Sequence, residues 1–292
     1  MGASDTVSVR ASRAIKRLLI GVLPENCTGD RIYSFLHFVY CNHRVPSGRL
    51  VFNDALYRLK TSNDMVDPLR VFVSDKEFVK LYVKATVGDQ YNVPTVGVIR
   101  DRAAVDNYDF PADCCIKPTH LSGQVILRRG SGPIDLDRVR GWFGLSQYRK
   151  TREVNYRTLR PKVIVEPLIF GTTNVDDYKF FCVHGSPRLI QVDIDRHSDH
   201  CRQFYSPDWA LLPFSVIYPR SDRRTERPEN LKEMLFIAST LASAFSLVRV
   251  DLYSDGGQIL VGELTNCHEN AGGYFIPRRA EREASELLFG RG

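Results

Sequence analysis

The sequence lacks long hydrophobic runs and paired cysteines. No apolar stretch in its 292 residues reaches the roughly twenty residues that a membrane-spanning helix requires. Its seven cysteines are irregularly spaced, include no C-x-x-C pair and follow no secretory leader pattern. We therefore expect a cytoplasmic protein with reduced thiols.

Signatures of several functional classes are also missing. The formal net charge is +6, yet no helix-turn-helix, RNP-like or zinc-finger pattern accompanies the arginine clusters. We therefore expect a solvated basic surface, compatible with anionic ligands, and no specific nucleic-acid partner. There is no G-x-S-x-G elbow and no cysteine in a local catalytic pattern, so hydrolase chemistry is unsupported. The spacing of His197, His200 and Cys201 fits no common structural zinc site.

What is present is the patterning of a folded globular protein. Apolar residues make up 43% and charged residues 25% of the chain, which is long enough for one large or two modest domains. Helical and mostly antiparallel strand patterns alternate without a strict βαβ repeat, which predicts an α+β fold. We expect helices over residues 74–88, 135–150 and 228–245, the first capped by Ser74 with Glu77 in an S-x-x-E box, and a hairpin turning at residues 184–186.

Residues 10–23 carry apolar side chains at helical spacing, with arginines and lysines on the opposite side. Such a basic amphipathic helix fits two roles, docking on its own domain or binding at a membrane surface or a partner. Peripheral association with the inner membrane is therefore open beside a purely cytoplasmic location.

A hairpin over residues 248–266 combines apolar strands with three charged residues. Its sequence, VRVDLYSDGGQILVGELTN, places Arg249 and Asp251 on one face of the first strand. A three-residue loop 255–257 would pair Arg249 with Glu263 and make Asp251 and Glu263 diagonal neighbours on one face. A two-residue loop would place the two acids on opposite faces.

Two carboxylates beside an arginine suit a site that holds a hard cation against phosphate oxygens. Oxygen ligands are those that Mg²⁺ prefers, and arginine can stabilise a transferring phosphoryl group. The alternative is an ion-paired, solvent-exposed sheet face without chemistry.

Several blocks of the sequence resemble the ATP-grasp enzymes. The hairpin resembles their terminal R-x-D strand, glycine turn and E-x-N strand, and CIKPTH resembles their central strand with its phosphate-binding lysine. LSGQV occupies the place of the glycine-rich flap, VIVEPLI resembles the adenine hinge, and DYKFFCVHG resembles the strand that follows it.

The resemblance is closer to the TupA-like branch of this superfamily, over residues from about 46 to 273. It implies an ATP-grasp fold that holds the nucleotide between two α+β subdomains, and a role in bacterial capsule or surface-polysaccharide synthesis. Two departures stand out. The flap, residues 119–123, has fewer glycines than the family pattern, and Thr265 stands where the family has its final metal-binding asparagine, with Asn266 one place later.

The resemblance implies roles for individual residues. Arg249 and Lys117 are implied as catalytic residues, steadying the transferring phosphoryl group and the ATP phosphates. The implied ATP-binding residues are Lys76, Lys117, His120, Ser122, Gly123, Glu166, Leu168, Asp177 and Lys179. The implied Mg²⁺ ligands are Asp251, Glu263 and Thr265. For Lys117 and Lys76, a purely structural or surface role is the alternative.

The segment DIDRHSDHCR is a candidate substrate pocket beside the ATP site. Asp193 and Asp195 share a face and resemble the D-x-D metal motif of glycosyltransferases, while Arg196 and Arg202 are candidates for an anionic sugar or phosphate.

These expectations combine into one domain scheme and one leading function. Residues 1–70 form a helical or irregular extension, followed by an ATP-grasp domain over 71–292 with subdomains 71–115, 116–185 and 186–292. The leading function is an ATP- and Mg²⁺-dependent ligase that joins a small-molecule or glycan carboxylate to an amine donor through an acyl phosphate. The alternatives are a glycosyltransferase of the same pathway and a nucleotide-binding module without catalysis. The oligomeric state is not predicted.

Overall fold

A computed structural model describes residues 21–172, 175–194, 200–221 and 225–290. The helices in these ranges are α1 (Cys27–Asn42), α2 (Phe52–Thr61), α3 (Pro68–Ser74), α4 (Phe78–Thr86), α5 (Leu136–Trp142), α6 (Gln147–Thr151), α7 (Leu231–Ala242) and α8 (Ala280–Phe289). The strands are β1 (Gly97–Ile99), β2 (Cys114–Pro118), β3 (Ile126–Arg128), β4 (Val163–Glu166), β5 (Asp177–Val183), β6 (Ser186–Ile194), β7 (Cys201–Tyr205), β8 (Ser215–Val216), β9 (Leu247–Ser254), β10 (Ile259–Thr265) and β11 (Phe275–Ile276). The predicted α+β class is confirmed.

The smaller of the two main sheets has four antiparallel strands in the order β1-β4-β2-β3. One face carries a core that includes Ile116 of β2, Val163 and Val165 of β4, and Trp142 of α5. Alternation along β2 turns Ile116 into this core and Lys117 to the other face, because successive strand residues point to opposite sides.

The larger sheet has five antiparallel strands in the order β10-β9-β5-β6-β7 and is covered on both faces. Phe180 of β5 packs in a core with α3, α4 and α7, whereas its neighbour Phe181 packs in a second core with α2 and α8. Burial on both faces explains why apolar residues follow one another in the second half of β5, as FFCV, instead of alternating with polar ones.

The early helices are part of this second core. Phe38 of α1 and Phe52 of α2 are buried with Phe181, and the rings of Phe52 and Phe181 lie 5.5 Å apart. Residues 27–61 therefore pack on the five-stranded sheet, instead of forming the appended extension that we expected over 1–70. The predicted helix over residues 10–23 falls almost wholly outside the described residues.

Along the chain, β4 is the last strand of the four-stranded sheet and β5 is the first strand of the five-stranded sheet. The predicted subdomain boundary at 185/186 instead falls in the turn of the β5–β6 hairpin, within one sheet. This turn has two residues, His184 and Gly185, with φ of 46° and 75°, which are values that a tight hairpin requires. The division into subdomains otherwise stays a prediction.

All three predicted helices differ in their bounds from the observed ones. Ser74 is the last residue of α3 and does not cap α4; the side chain of Asp75 accepts a hydrogen bond from the Glu77 amide just before α4 begins. The single helix expected over 135–150 is divided into α5 and α6, and α7 is shorter at both ends than the helix expected over 228–245. Among the described residues, no helix combines the length and apolar character that crossing a membrane requires.

The β9–β10 loop has four residues, and the three-residue loop that we expected is wrong. Ser254 pairs with Ile259, and the Asp255 carboxylate accepts hydrogen bonds from the amides of Gly257 and Gln258. An aspartate that bonds to backbone amides two and three residues later stabilises a turn of this kind.

A bulge at Gly262 then shifts the register of the hairpin by one residue. Leu252 pairs with Val261, but Asp251 pairs with Glu263, so the two acids lie directly opposite each other and not diagonally. A side chain at Gly262 would clash with the ring of Tyr253, because its Cβ would lie 2.8 Å from a ring carbon. The shared face of the two acids therefore follows from the bulge.

Candidate functional site

A cavity of about 760 Å³ is lined by residues of both main sheets. The predicted site residues on its wall are Lys76, Lys117, Ser122, Gly123, Glu166, Leu168, Asp177, Lys179, Asp193, Arg202, Arg249, Asp251, Glu263 and Thr265. Asp195 and Arg196 lie outside the described residues. The structure thus gathers most of the predicted set around one cavity, although the individual roles stay predictions.

His120 is the predicted residue that the structure turns away from the cavity. Its ring is buried, and Nε2 lies 3.2 Å from the carbonyl oxygen of Trp142 in α5. Burial lowers the pKa of this imidazole. The His120 ring therefore packs toward the core of the four-stranded sheet, where Trp142 lies, and not toward the cavity.

The segment expected to form the flap, residues 119–123, is bonded to Lys76, which precedes α4. Lys76 donates from Nζ to the carbonyl of Leu121 at 2.6 Å, and its own amide donates to the carbonyl of Thr119. Burial lowers the pKa of Lys76. Farther along the segment, Gly123 has a φ of +71° and open space around it, so this residue retains the backbone freedom that a closing loop needs.

On the four-stranded sheet, Glu166 binds two lysines. Its two carboxylate oxygens lie 2.6 Å from Nζ of Lys117 on β2 and 2.6 Å from Nζ of Lys80 on α4. Burial by itself would raise the pKa of Glu166, but the two ammonium groups outweigh it and lower that pKa. For Lys117 burial is outweighed by Glu166, so its pKa is raised, whereas for Lys80 burial prevails and its pKa is lowered.

This triad modifies the expected role of Glu166. The resemblance placed Glu166 in the adenine hinge, but its carboxylate is ion-paired with two lysines, of which Lys117 lines the cavity. Lys80 was missed by the sequence analysis because it lies on a helix far from both partners in sequence, and nothing in its local pattern distinguishes it from a surface lysine.

On the five-stranded sheet, Arg249 is held by its neighbours on β9 and β10. Nε and Nη2 each donate to Asp251 at 2.6 Å, and Nη2 also lies 3.3 Å from Glu263 and 3.0 Å from the hydroxyl of Thr265. Burial by itself would lower the pKa of Arg249, but the nearby carboxylate of Asp251 has the larger effect and raises that pKa. A bidentate arginine–carboxylate pair is directional, so the guanidinium is fixed at the cavity wall.

Lys179 lies beside this pair, among three buried acids. Its Nζ forms an ion pair with Asp177, lies 3.1 Å from Asp251 and lies 3.8 Å from Asp193. Glu263, at the edge of the same group, has its pKa lowered to about 2, because Lys76, Arg249 and Lys179 outweigh the effect of burial. The wall is therefore a dense alternation of fixed charges, suited to a polyanionic ligand with cations.

Asp193 is engaged by Arg202 on the neighbouring strand. Nε of Arg202 lies 2.7 Å from Asp193, and Nη1 lies 3.4 Å from Glu269. Burial would raise the pKa of Asp193, but the contacts with His200, Arg202 and Lys179 lower it. The carboxylate expected to begin a D-x-D metal motif is therefore paired with an arginine, which weakens the glycosyltransferase interpretation.

The hairpin acids supply the donor chemistry for Mg²⁺. Asp251 and Glu263 bring carboxylate oxygens to one wall, and the Thr265 hydroxyl bonds to Glu263 at 3.1 Å on the same face. Asn266 points to the other side, where its side-chain oxygen accepts from Arg70 at 2.8 Å. Within the described ranges no three His, Cys, Asp or Glu side chains are grouped to hold an ion alone. These oxygens therefore fit an ion that shares its coordination with phosphate and water.

Comparison with known proteins gives one family match. The model of a family described as TupA-like ATPgrasp matches residues 56–288. No curated protein matches this chain.

Among solved structures, D-alanine–D-alanine ligases resemble this chain at low identity. The enzyme from Helicobacter pylori is 13% identical, with 76% of this chain and 61% of that chain covered and a TM-score of 0.41. The enzyme from Bacillus anthracis complexed with ATP is 16% identical, with 74% and 62% covered and a TM-score of 0.39. The D-cycloserine synthetase DcsG is 15% identical, with 75% and 71% covered and a TM-score of 0.38. The chain thus spans about three fifths of the length of these D-alanine–D-alanine ligases.

Proposed function

This chain belongs to the TupA-like ATP-grasp family, whose model covers residues 56–288, and we propose that it is an ATP-dependent ligase that joins a carboxylate to an amine. The observation that carries the proposal is the arrangement at the cavity. Arg249, Asp251 and Glu263 line the cavity from the five-stranded sheet, and Lys117 and Glu166, which form an ion pair, line it from the four-stranded sheet.

In the proposed reaction, a substrate carboxylate oxygen attacks the γ-phosphorus of ATP. The bond from that phosphorus to the bridging oxygen breaks, which yields an acyl phosphate and ADP. The amine then attacks the acyl carbon, phosphate leaves with the bonding electrons, and the amine loses a proton. The products are an amide, ADP and phosphate.

The residues of this chain contribute charge and position to these steps. Lys117, oriented by Glu166, binds the ATP phosphates, and Arg249 donates to the oxygens of the phosphoryl group during transfer. Asp251 and Glu263 would hold Mg²⁺, which supplies charge neutralisation between phosphate oxygens when bound. Asp251 also holds the guanidinium of Arg249, so the same carboxylate would position both the arginine and the metal ion.

For the substrate, the family suggests a uronic acid or amino-acid carboxylate on a bacterial surface polysaccharide or its precursor. The charged wall around Arg202 supports an anionic or polar acceptor. A glycosyltransferase is the weaker alternative, because Asp193 is paired with Arg202.

The test supplies hydroxylamine in place of the natural amine. The purified chain with ATP, Mg²⁺ and a panel of candidate acids should yield hydroxamate and ADP in equal amounts for the correct acid. ADP with no hydroxamate would indicate a kinase or an ATPase. If an ATP analogue with Mg²⁺ at millimolar concentration does not raise the melting temperature, the chain does not bind nucleotide and the proposed function fails.

A further inference from the structure

The turn after β10 has an unusual backbone. Glu269, Asn270 and Ala271 have φ angles of 47°, 56° and 59°, so three consecutive non-glycine residues adopt the left-handed conformation. Residues other than glycine rarely do so, and runs of such residues are rarer still, which makes the turn a candidate functional feature. The residue that immediately precedes it, His268, has its side chain directed into the protein.

His268 is buried between the sheet and α2. Its ring makes edge contacts with Phe181 and Phe52, at centroid distances of 5.0 and 6.3 Å, and only 2% of the residue is exposed. The ring nitrogen Nδ1 lies 2.5 Å from Nη1 of Arg249. A buried apolar pocket therefore holds an imidazole whose polar contact is the arginine of the site.

The chemistry of the two partners determines the state of this histidine. A guanidinium has donors and no acceptor, so Nδ1 must accept the hydrogen bond and cannot carry a proton. A neutral imidazole then has its proton on Nε2. A protonated ring would place a second positive charge against Arg249 in a buried site. His268 is therefore a neutral acceptor, with Nε2 protonated.

The contact completes the set of partners around the guanidinium. Nε and Nη2 of Arg249 are directed to Asp251, Glu263 and Thr265. Among the described residues, the hydrogen-bond partner of Nη1 is His268. Because Nη1 lies on the side opposite to the Asp251 contacts, the histidine restrains the part of the fork that Asp251 does not hold.

We propose that His268 is a positioning residue, which accepts a hydrogen bond from Arg249 and keeps its guanidinium aligned for phosphoryl transfer. The proposal rests on the proposed function, in which Arg249 stabilises the transferring group. A neutral acceptor serves this role because it fixes the arginine and leaves its positive charge in place. A third carboxylate beside Asp251 and Glu263 would cancel that charge.

Two substitutions separate positioning from packing. His268→Asn places an oxygen at the same distance from the backbone as Nδ1 and can restore the acceptor. His268→Leu keeps an apolar side chain against Phe52 and Phe181 but removes the acceptor. We expect kcat of His268→Leu to fall about 10- to 100-fold with the KM for ATP within about twofold of wild type, as for a misplaced catalytic group. His268→Asn should recover most of that loss.

The control changes the packing around the same ring. Phe52→Leu removes part of the aromatic contact with His268 and leaves the Arg249 bond in place, so it should lower the melting temperature without lowering kcat more than about twofold. If the activity of the His268 variants follows their melting temperatures, with Phe52→Leu on the same line, the positioning role is overturned.

A second measurement does not depend on the reaction. In the wild-type chain, long-range nitrogen–proton NMR correlations of histidine should show a neutral His268 with Nε2 protonated, and the Nη1 protons of Arg249 should exchange more slowly than in His268→Leu. A ring protonated at Nδ1, or at both nitrogens, would overturn the proposal even where the enzyme is active. If no ligase activity is found, the proposed function fails while these spectra still decide whether the contact exists.

Discussion

Glu263 lies directly opposite Asp251 across the β9–β10 hairpin, because a bulge at Gly262 shifts the strand register by one residue. Without the bulge, Asp251 would face Gly262, and Glu263 would point to the other side of the sheet. The carboxylate pair therefore depends on a backbone irregularity at which a glycine avoids a clash, since a Cβ at Gly262 would lie 2.8 Å from a carbon of the Tyr253 ring.

The first prediction concerns this glycine. Gly262→Ala should destabilise the fold by about 1–3 kcal/mol through overpacking against Tyr253, and should lower turnover because the bulge must shift. The matched control is Gly257→Ala in the same hairpin, where a Cβ would meet only the Asp255 side chain at 3.7 Å. Denaturant unfolding and ADP release would be measured for both. Equal effects of the two substitutions would show that the bulge is not required.

The hairpin also shows where sequence reasoning stops. Alternation placed Arg249 and Asp251 on one face, and the glycines predicted a turn. Loop length and bulge, however, depend on whether the Asp255 carboxylate bonds to the turn amides and on the packing of Tyr253 against Gly262, and neither contact has a signature in one sequence. The expected shared face of the acids was right, and the register behind it was wrong.

The lysine cluster shows the same limit over a longer range. The resemblance of CIKPTH to a central strand with a phosphate-binding lysine anticipated β2 and singled out Lys117. Pairing Lys117 with Glu166 and Lys80 requires β2, β4 and α4 to meet, which only the tertiary fold determines. His120 illustrates the converse, because a polar residue in an expected flap is buried against Trp142 once α5 packs below it.

The second prediction tests the proposed metal site. Glu263→Gln and Asp251→Asn should reduce turnover by several orders of magnitude, a loss on the order of 4 kcal/mol or more in transition-state stabilisation. Affinity for an adenine nucleotide should change much less, because the hinge lies on another strand. Binding of a non-hydrolysable ATP analogue and the rate of ADP release would be compared with wild type. If both variants release ADP at the wild-type rate, the hairpin acids do not bind a catalytic metal ion and form only a structural, ion-paired sheet face.

The third prediction concerns the buried triad of Lys80, Lys117 and Glu166. Lys117→Met should weaken nucleotide binding and also cost about 2 kcal/mol of stability, because Glu166 would keep one of its two cations in a buried setting. The implied role of Lys117 in binding phosphates predicts only a loss of nucleotide affinity, and the ion pair with Glu166 adds the stability cost.

A double-mutant cycle checks this coupling. Lys117→Met in a Glu166→Gln background should cost less stability than in wild type, since the carboxylate that Lys117 neutralises is gone. The loss of nucleotide affinity should remain in both backgrounds. If the stability costs of the two changes simply add, the ion pair does not contribute to folding.

The fourth prediction uses the acidity of Glu263. Its pKa in the folded chain is about 2, below the ordinary value of 4.5, because Lys76, Arg249 and Lys179 outweigh burial. A group with a lowered pKa in the folded state contributes stability that is fully present above the unfolded value and is lost as the pH falls through the folded value. The contribution of Glu263 should therefore be constant above about pH 5 and should disappear between about pH 4.5 and 2.

The measurement compares wild type with Glu263→Gln, which has the same shape and no titration. The free energy of unfolding, obtained from denaturant curves at several pH values, should favour wild type most above pH 5, and the difference between the two proteins should shrink steadily as the solution is acidified. High salt should reduce the difference at neutral pH, because Glu263 is partly exposed and its attraction to the three cations is screened. A difference that stays constant from pH 6 to 2, or that grows on acidification, would mean that these cations do not stabilise the ionised carboxylate, and the assignment of Glu263 to a charged, cation-binding wall would have to be abandoned.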